Sequence, residues 1–243
     1  MHEYFYHVYA FMWFLVWLAL FYVGARRTRK MLLLGVGAGV ITFPQDFYFF
    51  SKDYWEPLPL GLERMVLDFL FGSAAAGIAA TVFHSFFDRR ISIQKNYPGR
   101  LALTILLFVL NSIMTGLFHL WINSIYGSIL ILLVTFLVII ILRPDLMPVS
   151  LFSGFSLLIL MILTYQISLL AWPNLFSVLW KLKNVSQLFI FHIPLEEYLW
   201  FFSAGLATGP ICYFLKGEKI VFSHTPESEA WEAVNSRRRG FSP

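Results

Sequence analysis

Apolar residues gather into seven long runs along the chain, at 5–24, 31–50, 65–87, 101–118, 122–142, 147–171 and 188–215, and the stretches between them hold most of the charge. At about 1.5 Å of rise per helical residue, each run is long enough to cross about 30 Å of hydrocarbon. The pattern predicts an all-α integral membrane protein with seven transmembrane helices. The fourth and fifth runs are the least clearly divided, because only His119, Asn123 and a break around Gly116 interrupt them. A count of six stays open there. No basic residue precedes the first run and no small-residue cleavage site follows it, so it reads as a retained span rather than a signal peptide.

Composition narrows the class. Of 243 residues, 58% are hydrophobic, 19% aromatic and 13% charged, whereas a soluble domain carries about 25% charged residues. That excludes a soluble globular domain, and the high apolar content with small net charge excludes a disordered chain. The single cysteine, Cys212, cannot close an intrachain disulfide, and no Cys/His cluster has the spacing of structural zinc. No metal or cofactor is expected.

The formal net charge of +4 points to nucleic acid only until the charges are placed. With the N-terminus outside, the inside loops and tail hold Arg26, Arg27, Arg29, Lys30, Arg89, Arg90, Lys95, Arg100, Arg143, Lys216, Lys219, Arg237, Arg238 and Arg239. Of the 18 basic residues, only Lys52, Arg64, Lys181 and Lys183 remain outside. Such a bias follows the positive-inside rule and predicts an N-out, C-in, multi-pass protein of the cell membrane. Lipids rather than nucleic acid are then the neighbours of the basic surface. The polar tail, 217–243, is expected on the cytoplasmic side, with its arginines near anionic headgroups.

A shift of 129 residues lays Pro44, Phe47, Lys52, Asp68 and Leu70 on Pro173, Phe176, Lys181, Glu197 and Leu199. Seven spans accommodate this as two parallel three-helix repeats joined by a connecting helix. The expected layout is 1–90 for the first repeat, 91–120 for the connecting fourth helix, and 121–216 for the second repeat.

Ionisable groups within spans are costly and point to function. Here Asp46 lies near the end of the second run, Asp68 in the first turn of the third helix, and Glu196 with Glu197 at the start of the seventh. A bland reading is available for Asp46, because helix N-termini and interfaces tolerate carboxylates. The stretch His192, Ile193, Pro194, Leu195, Glu196, Glu197, Tyr198, Leu199, Trp200, Phe201, Phe202 is more specific. Proline at the first helical position pre-organises a helix start, and adjacent glutamates point about 100° apart, so at least one faces protein. Two like charges this close in a partly desolvated place do not both stay ionised, which sets a proton donor beside a carboxylate.

The motif PLEEYLWFF resembles the Pro-x-Glu-Glu signature of the membrane-integral lycopene cyclases, which comprise heterodimeric bacterial, archaeal fused and fungal bifunctional enzymes. The resemblance implies a redox-neutral cyclisation of the acyclic end of lycopene or a related carotenoid within the bilayer. It implies Glu196 and Glu197 as acid and base in an unassigned order, with Asp68 as the counterpart from the first repeat. Around the substrate it suggests Tyr198, Trp200 and Phe201 as aromatic faces for a transient cation, together with Asp46 and His192. This chain departs from the pattern at Met65, Val66, Leu67 and Asp68, where the first repeat lacks the proline and keeps one carboxylate, with Glu63 nearby. A non-enzymatic protein of the same fold, binding a carotenoid, an isoprenoid lipid or a protein partner, is therefore the alternative. Ring type, chain length and oligomeric state stay open.

Other patterns fall away. Gly35, Gly37 and Gly39 follow no strand and lack the later glycine of a dinucleotide fingerprint, so close helix packing explains them. No lysine lies within 188–215, which excludes a retinal Schiff base in the last helix. His84, His119 and His192 are too dispersed for a metal site, and Asn111 and Gln166 read as interhelical hydrogen-bonding residues. A proton-coupled transporter uses the same carboxylates, yet no charged relay reaches the other leaflet.

Overall fold

The computed structural model describes residues 4–59, 61–87, 91–95, 98, 100–118, 120–182 and 185–222. His119, Arg89, Arg90, Lys183 and the tail from 223 onward, with Arg237, Arg238 and Arg239, lie outside the described residues. In chain order the elements are α1 (Phe5–Val23), α2 (Arg26–Gln45), α3 (Ser51–Asp53), α4 (Leu62–Phe87), β1 (Ile91–Lys95), α5 (Leu101–Phe118), α6 (Ser124–Leu142), α7 (Met147–Ala171), α8 (Leu175–Leu179), β2 (Phe189–Ile190), β3 (Ile193–Pro194), α9 (Leu195–Thr208), α10 (Ile211–Lys216) and β4 (Glu218–Phe222).

Among the described residues, six helical stretches are long and apolar enough to cross a membrane. They are α1, α4, α5, α6, Pro144–Ala171 and Leu195–Lys216. The other long helix, α2, begins with Arg26, Arg27, Arg29 and Lys30, which lowers its apolarity. The division left open between the fourth and fifth runs is present. Asn123 caps α6, its side chain accepting from the Ile125 N–H at 3.1 Å while its Nδ2 donates to the Asp53 carbonyl at 2.8 Å.

Three boundaries differ from the sequence reading. α2 passes through Pro44 into a π-helical turn, Asp46–Phe50, before α3. Proline removes one backbone donor, and the wider turn absorbs the misfit. α4 begins at Leu62, so Asp68 sits a turn deeper than the first. The last run is helical only from Leu195, because β2 and β3 form an antiparallel hairpin before it. Pro194 is the N-cap residue rather than the first helical one, with extended geometry (φ −58°, ψ 141°). At the far end, Gly209 and Pro210 separate α9 from α10.

Small residues bring the helices together. A Cβ on Gly35 would lie 2.4 Å from the Gly77 nitrogen and 2.6 Å from the Ser73 carbonyl oxygen, so α2 and α4 are in backbone contact. α7 and α9 meet likewise, because a Cβ on Gly205 would stand 2.6 Å from the Gly154 Cα. Apolar solvation cannot drive association within hydrocarbon, so dispersion through such close contacts has to.

The two ends of the bundle differ in chemistry. One end carries the antiparallel pairing of β1 with β4, in register from Ile91 opposite Phe222 to Lys95 opposite Glu218. Arg27 is paired with Glu218 there, and Arg143 binds Asp145 at 2.7 Å and the Glu218 carbonyl at 2.8 Å. The other end, where α2 finishes and α4 and α9 begin, buries an aromatic cluster that includes Phe5, Tyr9, Trp13, Tyr165, Phe176, Trp180 and Phe201.

Gly35→Ala is expected to destabilise the protein by about 1–3 kcal/mol through overpacking against α4. Gly37→Ala, whose Cβ meets nothing within 4 Å, should gain up to about 1 kcal/mol of helix propensity. Thermal unfolding of the two variants in detergent compares them directly, and equal effects would contradict the α2–α4 contact.

Candidate active site

The hairpin before α9 aims the glutamates. Phe191 (φ 50°) and His192 (φ 64°) take left-handed conformations that reverse the chain, and β3 delivers the extended Pro194 that opens the helix. Glu196 and Glu197 then fall in the first turn, and both are buried, at 1% and 5% exposure. Their roughly 100° separation sends them to different neighbours.

Glu196 faces α6 and the preceding loop. It accepts from the Tyr126 hydroxyl at 2.7 Å and from the Ser186 N–H at 2.7 Å. Glu197 faces the interior. Its Oε1 accepts from the Tyr54 hydroxyl at 2.6 Å and from Trp180 Nε1 at 2.9 Å, and its Oε2 from the Tyr165 hydroxyl at 2.8 Å. Burial, and after it the charge of Glu197, push the Tyr54 phenol well above its ordinary value, so Tyr54 remains a donor.

Two loops carry those donors over the end of the bundle. Lys181 N–H donates to the Tyr54 carbonyl at 2.7 Å and Glu56 N–H to the Leu179 carbonyl at 2.8 Å, around an antiparallel bridge between Trp55 and Trp180. Asp53 anchors the first loop to α6 by accepting from the Ser124 N–H at 2.8 Å and from its hydroxyl at 2.5 Å.

A second group of charges lies on α2 and α4. The π-helical turn carries Asp46 inward, where it accepts from Trp55 Nε1 at 2.6 Å and from Arg64 Nε at 2.7 Å, with Arg64 Nη2 at an ion-pair distance of 2.6 Å. Arg64 is 1% exposed and also donates through Nη1 to the Leu58 carbonyl at 2.8 Å. Asp68, one turn along α4, accepts from the Tyr6 hydroxyl, with Arg64 Nε 4.0 Å away.

These groups share one cavity of about 80 Å³, walled by Asp46, Asp68, Glu197, Tyr6, Tyr9, Phe50, Tyr54, Trp55, Phe71, Tyr165, Trp180, Trp200 and Phe201 among others. Tyr9 stacks on Tyr165 at 4.7 Å between ring centres, and Trp13 stacks behind Phe201 at 5.3 Å. Of the residues singled out from sequence, Asp46, Asp68, Glu197, Trp200 and Phe201 therefore come together. Glu196 is adjacent but turned to Tyr126. Tyr198 is half-buried and donates its hydroxyl to the Ile190 carbonyl at 2.7 Å. His192 is exposed in the hairpin turn. Neither of these two lines the cavity.

Several partners escaped the sequence reading: Arg64, Tyr6, Tyr9, Tyr54, Trp55, Tyr165 and Trp180. Arg64 was counted as a loop charge outside the membrane, whereas it is a buried ion pair. Its spacing of four from Asp68 on one helix is the signal that was available. The remaining six are aromatic residues in a chain with 26 Phe, 11 Tyr and 8 Trp, where no spacing marks them out.

The sequence model of the family described as lycopene cyclase matches residues 68–128 and 123–215, which together make up more than half of the chain. The chain belongs to the lycopene cyclase family. No curated protein and no solved structure matches it. Asp68 opens the first stretch matched to the lycopene cyclases, and Glu196 and Glu197 lie within the second. Membership implies a hydrophobic carotenoid substrate and a membrane setting, which the six apolar helices suit.

Arg64→Met should cost about 3–5 kcal/mol, because it strands the buried Asp46 carboxylate, and Arg64→Met combined with Asp46→Leu should recover most of that loss. Tyr54→Phe, which removes one of three donors to Glu197, should cost about 1.5–3 kcal/mol. Denaturant unfolding in micelles measures all three.

Proposed function

We propose that the protein is a membrane-embedded carotenoid cyclase that closes the acyclic end group of a lycopene-type polyene by acid/base chemistry. The observation that carries this reading is the single aromatic cavity lined by both Asp68 and Glu197. One carboxyl group comes from the first half of the chain and one from the second.

The chemistry needs a proton, a protected cation and a base. Asp46 and Arg64 make a neutral pair, so a proton held on Asp68 leaves that trio uncharged in a place with little water. Asp68 transfers the proton to the terminal double bond of the end group, and the neighbouring double bond attacks the resulting cation to close a six-membered ring. The cation moves into the ring, and Glu197 removes a ring proton to restore a double bond. One proton enters, one leaves and no electrons are exchanged, so the product is an isomer of the substrate. During the interval the faces of Tyr9, Phe71, Tyr165, Trp200 and Phe201 stabilise positive charge without bonding to it.

The layout of two three-helix repeats, 1–90 and 121–216 around a connector at 91–120, belongs to the same reading. In its support, Tyr6 of α1 donates to Asp68 of α4, and Tyr126 of α6 donates to Glu196 of α9. In each half a tyrosine from the first helix meets a carboxylate near the start of the third. Seven spans with the N-terminus outside would set the cavity in the outer half of the cell membrane, opening toward lipid-dissolved substrate.

Expression in a lycopene-accumulating bacterium should yield cyclised carotenoid, scored by chromatography. Asp68→Asn and Glu197→Gln should each lower conversion by at least about 10²-fold, with a smaller loss for Glu196→Gln. Unchanged lycopene beside well-expressed wild-type protein would refute the assignment.

A further inference from the structure

Trp200 and Phe201, which wall the aromatic cavity, together with Gln45 also wall a second cavity of about 80 Å³, lined onward by Ala38, Gly72, Ala75, Ala76, Leu132, Leu157, Ala204 and Thr208. Asn111, Leu132 and Thr208 are in turn shared with a third, narrower cavity of about 20 Å³, lined by Thr104, Leu107, Thr135 and Ile139 and reaching Ile211 and Phe214. Helices α5, α6, α9 and α10 supply matched stripes to this track. α6 gives Ser128, Leu132, Thr135 and Ile139, α5 gives Asn111, Leu107 and Thr104, and α9 with α10 gives Trp200, Ala204, Thr208 and Ile211. Spacings of three and four place each set on one helix face.

The track is apolar in effect. Thr104 and Thr208 donate their hydroxyls back to the carbonyls of Arg100 and Ala204, at 2.8 and 2.6 Å, and the Ser128 hydroxyl accepts from Trp200 Nε1 at 2.9 Å. Gln45 Nε2 donates to Asn111 Oδ1 at 3.1 Å, so these polar groups are engaged with one another or with the backbone. Its middle is open because Gly72, Ala75, Ala76 and Ala204 are small. The far end closes on Phe214, which is fully buried with the Arg100 guanidinium 5.6 Å from its ring centre. From Glu197 to Ile211 the helical rise amounts to about 20 Å, most of the thickness of a hydrocarbon core.

We infer that this track holds the uncyclised remainder of the polyene whose end group lies between Asp68 and Glu197, so that its depth selects the length of substrate accepted. The inference rests on the cyclase reading for the identity of the occupant. The walls shared with the aromatic cavity at Gln45, Trp200 and Phe201 favour the tail of that same substrate over a separate ligand.

Ala204→Phe and Thr208→Phe would plug the track without touching the carboxylates. Leu199→Phe adds bulk on an exposed face of the same helix and serves as the control. Each variant is expressed with lycopene or with a shorter acyclic polyene, and ring formation and pigment retained on the purified protein are measured. The plugged variants should lose at least about tenfold in conversion and retention of lycopene, while handling the shorter polyene like wild type. Leu199→Phe should match wild type with both. Equal behaviour of plugged and wild-type protein toward lycopene overturns the inference, as does equal loss with both polyenes. If wild type retains lycopene but forms no ring, the cyclase reading fails, and the track is then judged by pigment alone. Reduced retention in the plugged variants supports it, and unchanged retention assigns the space to lipid chains and overturns it. A wild type that neither retains nor converts lycopene overturns both.

Discussion

The carboxylate of Glu197 has almost no water and therefore needs protein donors, and the structure gives it three. A buried anion without partners is prohibitively costly, and hydrogen bonds to charge contribute about 1.5–3 kcal/mol each. Because Tyr54, Tyr165 and Trp180 come from three separate segments, satisfying one side chain fixes α7 and two loops relative to α9. The backbone bridge between Trp55 and Trp180 is the other half of that constraint. It holds both donors in place and covers the end of the bundle with aromatic rings. The site is thus closed by the same interactions that make its carboxylate tolerable.

The Asp46–Arg64–Asp68 group solves the problem differently. Here a cation is buried with the anions, and Asp46 receives two guanidinium contacts and an indole. Buried ion pairs seldom add net stability over apolar residues of the same size, so their presence calls for a role beyond folding. Nothing about backbone contact between α2 and α4 requires them either, since glycines at 35, 39 and 77 achieve that. What the group does is hold Asp68 at the cavity wall beside compensated charge, with Tyr6 as its donor.

The helices were legible in the sequence because a bilayer demands long apolar runs, although the division between the fourth and fifth was weak and the basic start of α2 lowers its apolarity. Their ends were not. Pro194 reads as the first helical residue, yet it caps a helix after a hairpin, and Pro44, inside a run that reads as one span, sits before a π-helical turn. The acidic members of the site were legible for the same reason as the helices, since charge in a span is rare. Glu197 stood out through its motif, and Asp68 through its alignment with Glu197. The aromatic members were not, because in a membrane protein Tyr and Trp also serve as interfacial anchors. Tyr198 illustrates that ambiguity, being adjacent in sequence to Glu197 and yet not lining the cavity, and His192, five residues before Glu197, is exposed in the hairpin turn.

A carbocation beside a carboxylate raises a difficulty that the geometry also answers. An anionic oxygen with free lone pairs would capture the cation as an ester and stop the reaction. Glu197 directs lone pairs at three donors, which spreads its charge and lowers its nucleophilicity while leaving it able to take a proton. Asp46 is held by Arg64 and Trp55 in the same manner. Beyond these groups the walls are mostly aromatic rings, and the hydroxyls of Tyr6, Tyr54 and Tyr165 are engaged as donors to carboxylates. On the cyclase reading, the same donors that make buried carboxylates affordable in hydrocarbon also make them safe beside a cation, so folding and chemistry ask for one arrangement rather than two.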